Sequence, residues 1–197
     1  MMSSASVQGA KAAFLELSRV AAQMANELDE QVYRAGELIW ASLERGGKLL
    51  ACGNGGSAAD AQHFVAELVG RMGPERRSLP AITLSVDPSA VTAIANDYGY
   101  ENVFARQVEG LGREGDVLLA ISTSGKSPNV LRAIEVARAK RMRVLALAGE
   151  GGAARLAECD VAIHIRSGNT QRVQELHMAV LHAVCAHVDA RVMASAR

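Results

Sequence analysis

Apolar side chains at Val7, Ala10, Phe14, Leu17, Ala21, Met24 and Leu28 recur at alternating intervals of three and four residues. That is the period of a helix and not of a strand. The pattern predicts one helix over 7–28 and a second over about 30–45, carrying Val32, Leu38, Ile39 and Leu43 and stopping at Gly46-Gly47. Both precede any strand-like segment, so they are expected to form a helical hairpin beside the main fold. Their apolar seam could pack internally or against another subunit.

The pattern then changes. Short, nearly continuous apolar runs follow at 48–52 (KLLAC), 81–85 (AITLS), 117–121 (VLLAI), 144–148 (VLALA) and 161–165 (VAIHI). Continuous rather than alternating runs are the mark of strands buried on both faces of a parallel sheet. Helical segments lie between or after them, at 57–71, at 88–110 with a break near Tyr98-Gly99, at 128–141, at 153–158 and at 170–192. Strands alternating with helices predict an α/β class, with helices on both sides of one sheet. No linker or repeat divides the chain. A single domain over 1–197 is expected, with helices over 1–46 and an α/β core over 47–197.

Composition narrows the function. The 197 residues carry 21 Lys+Arg and 21 Asp+Glu, so the net charge is zero, and no basic face for general nucleic-acid binding is expected. Aromatics are 4%, which leaves little for stacking on bases or sugars. At 49% apolar residues the chain can bury a core without disulfides. Cys52, Cys159 and Cys185 are odd in number and scattered, which suggests reduced thiols in the cytoplasm. Neither a signal peptide nor a stretch long enough to span a bilayer is visible.

In a sheet of this class ligands bind beyond the carboxyl ends of the strands. Two loops there are rich in small residues. The first is Gly53-Asn54-Gly55-Gly56-Ser57, leading into Ala58-Ala59-Asp60. Glycines let backbone N–H groups approach an anion at a helix N-terminus. Ser57 and Asp60 also make an S-x-x-D pattern, which predicts a side-chain cap. Gly53, Gly55 and Ala58 satisfy G-x-G-x-x-A, so a dinucleotide-binding turn competes. The second loop is Ser122-Thr123-Ser124-Gly125-Lys126-Ser127, with Pro128 next. Its Gly-Lys-Ser tail imitates an NTPase loop, but the glycine required five residues before Gly125 is Ala120. Four hydroxyls at a strand end suit a phosphate monoester. Ser127 is the expected helix cap before Pro128.

Among ionisable residues, His63 and Glu67 lie four apart and share a helix face. Such a pair can hold a metal or act as base and partner, and is also common as an ordinary polar stripe. Gln174 and His182, eight apart, can face the same way on the last helix. His164 sits in an apolar strand, as a core histidine with a satisfied nitrogen. Asn96-Asp97 closes a helix before Tyr98.

Taken together, GNGGSAADAQHFVAELVGR, TAIANDYGY, GREGDVLLAISTSGKSPNV and VQELHMAVLH, in this order and spacing, strongly resemble the sugar isomerase (SIS) domain family. Within it the resemblance is to the branch that isomerises sedoheptulose 7-phosphate, and it runs from about Gly47 to His187. It implies a three-layer αβα sandwich around a five-stranded parallel sheet, and a homotetramer with sites between subunits. It implies a substrate pocket of Asn54, Gly55, Gly56, Ser57, Glu67, Asn96, Asp97, Ser122, Thr123, Ser124, Ser127 and Gln174. Glu67 and His182 match the catalytic pair, and His63, Glu67, Gln174 and His182 match the ligands of one zinc ion. The implied reaction is ketose-to-aldose conversion through a cis-enediol(ate), supplying heptose for lipopolysaccharide or capsule. A sister group of non-catalytic SIS proteins binds a replication initiator protein, and SLPAITLSVDPSAVTAIAND is equally similar to it. That group lacks the residues at the Glu67 and His182 positions, so their presence favours an enzyme.

Overall fold

A computed structural model describes residues 4–156 and 158–195, with side chains described from residue 9 onward except at residue 154. The first element departs from the expectation. There is no helical hairpin, because α1 is one unbroken helix, Ser4–Glu44. The physical reason lies in composition. The first proline is Pro74, and the residues around 28–30 include no glycine. Asn26 and Asp29 are only weak helix formers and do not end a helix whose face is packed. The one glycine well inside α1, Gly36, serves close packing, since a Cβ there would come within 2.4 Å of the His187 ring. The helix ends before Gly46, which takes a φ of 82°.

Leu17, Ala21, Met24 and Leu28 of the apolar seam pack into the core, mainly through contact of α1 with the last helix, α7 (Thr170–Ser195). Ala10 and Phe14 of the same seam are exposed, Phe14 to 74%. The side chain of Val7 lies outside those described.

The five apolar runs form the strands β1 (Leu49–Gly53), β2 (Ala81–Thr83), β3 (Val117–Ser122), β4 (Arg143–Gly149) and β5 (Val161–Ile165). All pair in parallel, in the order β2-β1-β3-β4-β5. Strands β1 and β3 are buried at every residue, as continuous apolar runs require. The edge strands β2 and β5 are only partly covered, because each has a neighbour on one side.

Successive side chains point to opposite faces of the sheet. Leu49, Ala51, Leu119, Ile121, Leu145 and Ile163 face one core, which they share with α1, α7 and α2 (Gly56–Val69). Leu50, Cys52, Leu118, Ala120, Val144 and Ala146 face the other. That second layer holds α3 (Pro88–Tyr98), α4 (Val103–Leu111), α5 (Pro128–Ala139) and the short α6 (Ala153–Leu156). The architecture is the expected three-layer αβα sandwich. The chain leaves β1 toward β2 on one side and returns to β3 on the other, so the strand order reverses between β1 and β3. Loops diverging at such a switch point open a crevice at the carboxyl edge.

Candidate active site

Both small-residue loops flank that crevice. After β1, Gly53 is forced by close packing, since a Cβ would meet the Ser57 carbonyl oxygen at 2.6 Å. Helix α2 is capped by Gly55, with no side-chain cap. The S-x-x-D pattern therefore does not form a cap. Ser57 is buried within the first turn of α2, and Asp60 is buried with its Oδ2 unpartnered. Burial pushes the Asp60 carboxyl up to about 6, against a downward pull from His63.

The loop after β3 is braced internally. Ser122 and Ser127 share a hydroxyl–hydroxyl hydrogen bond of 3.0 Å. Ser127 occupies the cap position of α5, but its side chain makes no capping bond. The Lys126 amide donates to Ser124 Oγ at 3.2 Å. Gly125 adopts a φ of 63° and lies flat against Gly152, where a Cβ would stand 2.3 Å from the Gly152 Cα. A cavity of about 240 Å³ opens here, lined by Thr123, Ser124, Lys126, Glu150, Ser167 and Thr170 among others. Lys126, Ser167 and Thr170 were not singled out in the sequence. In the sequence the lysine stands out only as part of an NTPase-like tail, and the other two lie in later loops that only the fold brings here.

Asn54 ties the two loops together. It exchanges amide hydrogen bonds with Asn129 of α5 and accepts a further one from the Tyr100 hydroxyl at 3.1 Å. Neither Asn129 nor Tyr100 was visible as a site residue, since an Asn in a first helical turn is ordinary. Asn96 and Asp97 lie in the last turn of α3, exposed and bonded to each other at 2.8 Å, while Gly99 caps that helix.

The ionisable residues meet on the opposite layer, where α2 and α7 run side by side in the same direction. At one end the Gln174 amide presses on Gly56, whose missing Cβ leaves room for it. Gln174 also lines a cavity of about 360 Å³ with Asp60, Gln171, Arg172, Glu175 and Met178. Farther along, His63 Nε2 stands 3.0 Å from His182 Nε2 and 3.2 Å from Glu67 Oε1. The i,i+4 pair thus faces His182, 119 residues away in the chain.

His63, Glu67 and His182 each offer one ligand atom, all within 4.8 Å of one another. One proton between the two imidazoles cannot satisfy three converging lone pairs, whereas a divalent cation can. Two imidazoles and a carboxylate are a donor set that zinc accepts.

His164 and His177 belong to neither cluster. His177 is fully buried, and burial holds its pKa down at about 4. His164 leaves Nδ1 unpartnered rather than satisfied.

A family model described as the SIS domain matches residues 14–149, from α1 through β4. This chain belongs to the SIS-domain family. Among SIS-domain relatives, a phosphoheptose isomerase of Campylobacter jejuni is 52% identical over 168 residues, which is 85% of this chain and 90% of that protein. One from Bordetella avium is 48% identical over 91% of this chain and 93% of its own length. Solved structures agree. The phosphoheptose isomerase of Neisseria gonorrhoeae superposes with a TM-score of 0.88 at 44% identity, covering 93% of this chain and 98% of that one. That of Francisella tularensis gives 0.90 at 38% identity, covering 96% and 100%.

Proposed function

We infer that this SIS-domain chain is a phosphoheptose isomerase, converting sedoheptulose 7-phosphate to D-glycero-D-manno-heptose 7-phosphate. The observation that carries the reading is the meeting of Glu67, His63 and His182 on α2 and α7. Relatives about half identical over most of the chain are named for the same activity. A non-catalytic, initiator-binding role would leave that cluster without a task.

Isomerisation moves one proton from C1 to C2 and relocates the carbonyl. Glu67 takes the C1 proton through the oxygen it does not turn toward His63. The C1–H electron pair becomes the C1=C2 bond, and the C2=O pair moves onto O2. His182 delivers a proton to O2 and removes one from O1. Glu67 returns its proton to C2, completing the aldose. His63, Glu67 and His182 would hold a zinc ion, for which the resemblance implies Gln174 as a further ligand, and the ion would supply Lewis-acid polarisation of the carbonyl. The hydroxyls of Ser122, Thr123, Ser124 and Ser127 grip the phosphate, and that remote binding orients the reacting carbons. Asn54, Gly55, Gly56, Ser57, Asn96, Asp97 and Gln174 surround the sugar.

The product serves heptose synthesis for lipopolysaccharide or capsule, in the cytoplasm, and the chain works as one SIS domain in a homotetramer. Phe14 and Leu15, exposed on α1, offer apolar contact to a second copy. None of the described helices is long and apolar enough to cross a membrane.

Purified protein given sedoheptulose 7-phosphate, with and without chelator, tests the reading. Aldose formation is expected, and Glu67→Gln and His182→Ala are each expected to lose ~10²–10⁴-fold in kcat. Wild-type turnover in either variant removes the acid–base assignment.

A further inference from the structure

We infer that Arg76, paired with Asp189, is a positioning residue that sets Glu67 opposite His182. The inference rests on the acid–base reading above.

Arg76 lies in the connection between α2 and β2, yet its side chain is only 1% exposed. Its Nη2 donates to the Glu67 carbonyl oxygen at 2.7 Å. Its Nη1 is shared among the carbonyl oxygens of Leu68 at 3.0 Å, Gly70 at 3.3 Å and Arg77 at 3.1 Å. The last carbonyls of a helix have no partner within the helix, and here one guanidinium serves the end of α2. Its Nε donates to Asp189 Oδ1 at 2.5 Å, and Asp189 is itself 4% exposed.

Asp189 stands seven residues beyond His182 on α7, two helical turns along the same face. A closed circuit results. Glu67 faces His63, His63 faces His182, α7 carries His182 to Asp189, and Arg76 returns from Asp189 to the Glu67 backbone. Arg76 touches neither the Glu67 carboxylate nor any reacting atom, so its role is to place rather than to react.

A buried ion pair is a poor source of stability, because desolvation offsets the attraction. Its use is in fixing one arrangement against others. A fully buried guanidinium that joins the two helices bearing the acid and the base fits that use. Lysine cannot replace it, since a point charge lacks the fork that reaches several carbonyls and a carboxylate at once.

Arg76→Lys and Asp189→Asn are compared with wild type, with Glu67→Gln, and with Ile134→Ala, a core truncation in the opposite layer. Each is measured well below its melting temperature, on sedoheptulose 7-phosphate. The expectation for both clamp variants is a kcat reduced ~10–100-fold with KM changed less than about threefold, since a misplacement of about 1 Å costs on that order. Ile134→Ala should lose melting temperature and keep kcat. A kcat within twofold of wild type in Arg76→Lys or Asp189→Asn overturns the inference. So does a kcat loss that Ile134→Ala shares at equal loss of melting temperature. Failure of both clamp variants to fold would assign the pair to folding alone and also overturn it. Activity in Glu67→Gln would instead sink the acid–base reading, leaving Arg76 nothing to position.

Discussion

Asn54 and Asn129 hydrogen-bond to each other in both directions, Nδ2 to Oδ1, at 2.9 and 2.8 Å. The pair joins the loop after β1 to the first turn of α5, and so, on the function proposed above, joins the sugar side of the crevice to the phosphate side. Asn54 thus enters the site through its backbone and through the shape it imposes, with its amide already engaged.

Asn129→Ala removes both bonds and leaves Asn54 only its contact with Tyr100. A lost hydrogen bond that strands a partner costs ~1–3 kcal/mol. The expected outcome is a raised KM for the sugar phosphate and a lower melting temperature, with kcat at saturation falling less than KM rises. Steady-state kinetics and thermal unfolding check it. An unchanged KM would mean that the two loops keep their places without the pair.

Gly125→Ala and Gly55→Ala separate strain from collision. Both positions have positive φ, at 63° and 54°. A methyl at Gly55 meets open space, whereas one at Gly125 strikes the Gly152 backbone. At Gly55, where ψ is −121°, the backbone is in a conformation alanine rarely adopts, and forcing one into it costs about 1–3 kcal/mol by itself. Gly55→Ala should therefore fold, destabilised by about that amount. Gly125→Ala should push the β3 and β4 loops apart and abolish inhibition by inorganic phosphate, which competition assays read directly.

Lys126 is the cationic side chain lining the hydroxyl-rich cavity. It is exposed, so its attraction for a phosphate dianion is screened and modest. Lys126→Gln should raise KM and the inhibition constant for phosphate by a factor of roughly 3–10 while kcat holds, and the difference should shrink as salt is added. Equal values at low salt would remove the lysine from substrate binding.

The buried His177 predicts an acid weakness. Its folded pKa is about 4, against an ordinary 6.5. The unfolded chain therefore takes up the proton first as pH falls. The contribution is whole above about pH 6.5 and disappears as pH drops toward 4. A gap of that size corresponds to about 3 kcal/mol. Urea unfolding at pH 7.5 and 4.5 measures the loss. His177→Gln should flatten the dependence across that window, because the carboxylates titrate alike in both proteins.

The sheet was legible because strands covered on both faces must be apolar at every position, as at 49–52 and 117–121. The edges were legible in place but not in coverage, since the chain does not state which strands lack a neighbour. The single helix α1 was not foreseen. Asn26 and Asp29 weaken a helix locally, and the packing that overrides them comes from α7, far along the chain. In the site, the spacing of His63 and Glu67 and the hydroxyls of 122–127 are local patterns and could be read. Arg76 looked like one charge among several in a polar connection, and only burial against Asp189 distinguishes it. The facing of His63 and His182 is a property of two packed helices, so resemblance to a family suggested it before any local rule could.

The spacings along α7 also bear on how the chain can change length. Gln174, His182 and Asp189 each meet a partner brought by α2 or by the segment just after it. One residue inserted between His182 and Asp189 would swing everything beyond it by about 100°, carrying the carboxylate off its guanidinium. Surface connections such as the one around the exposed Glu114, between α4 and β3, have no such periodic constraint. Insertions and deletions tolerated over evolution should therefore gather in those connections and spare the interior of the last helix.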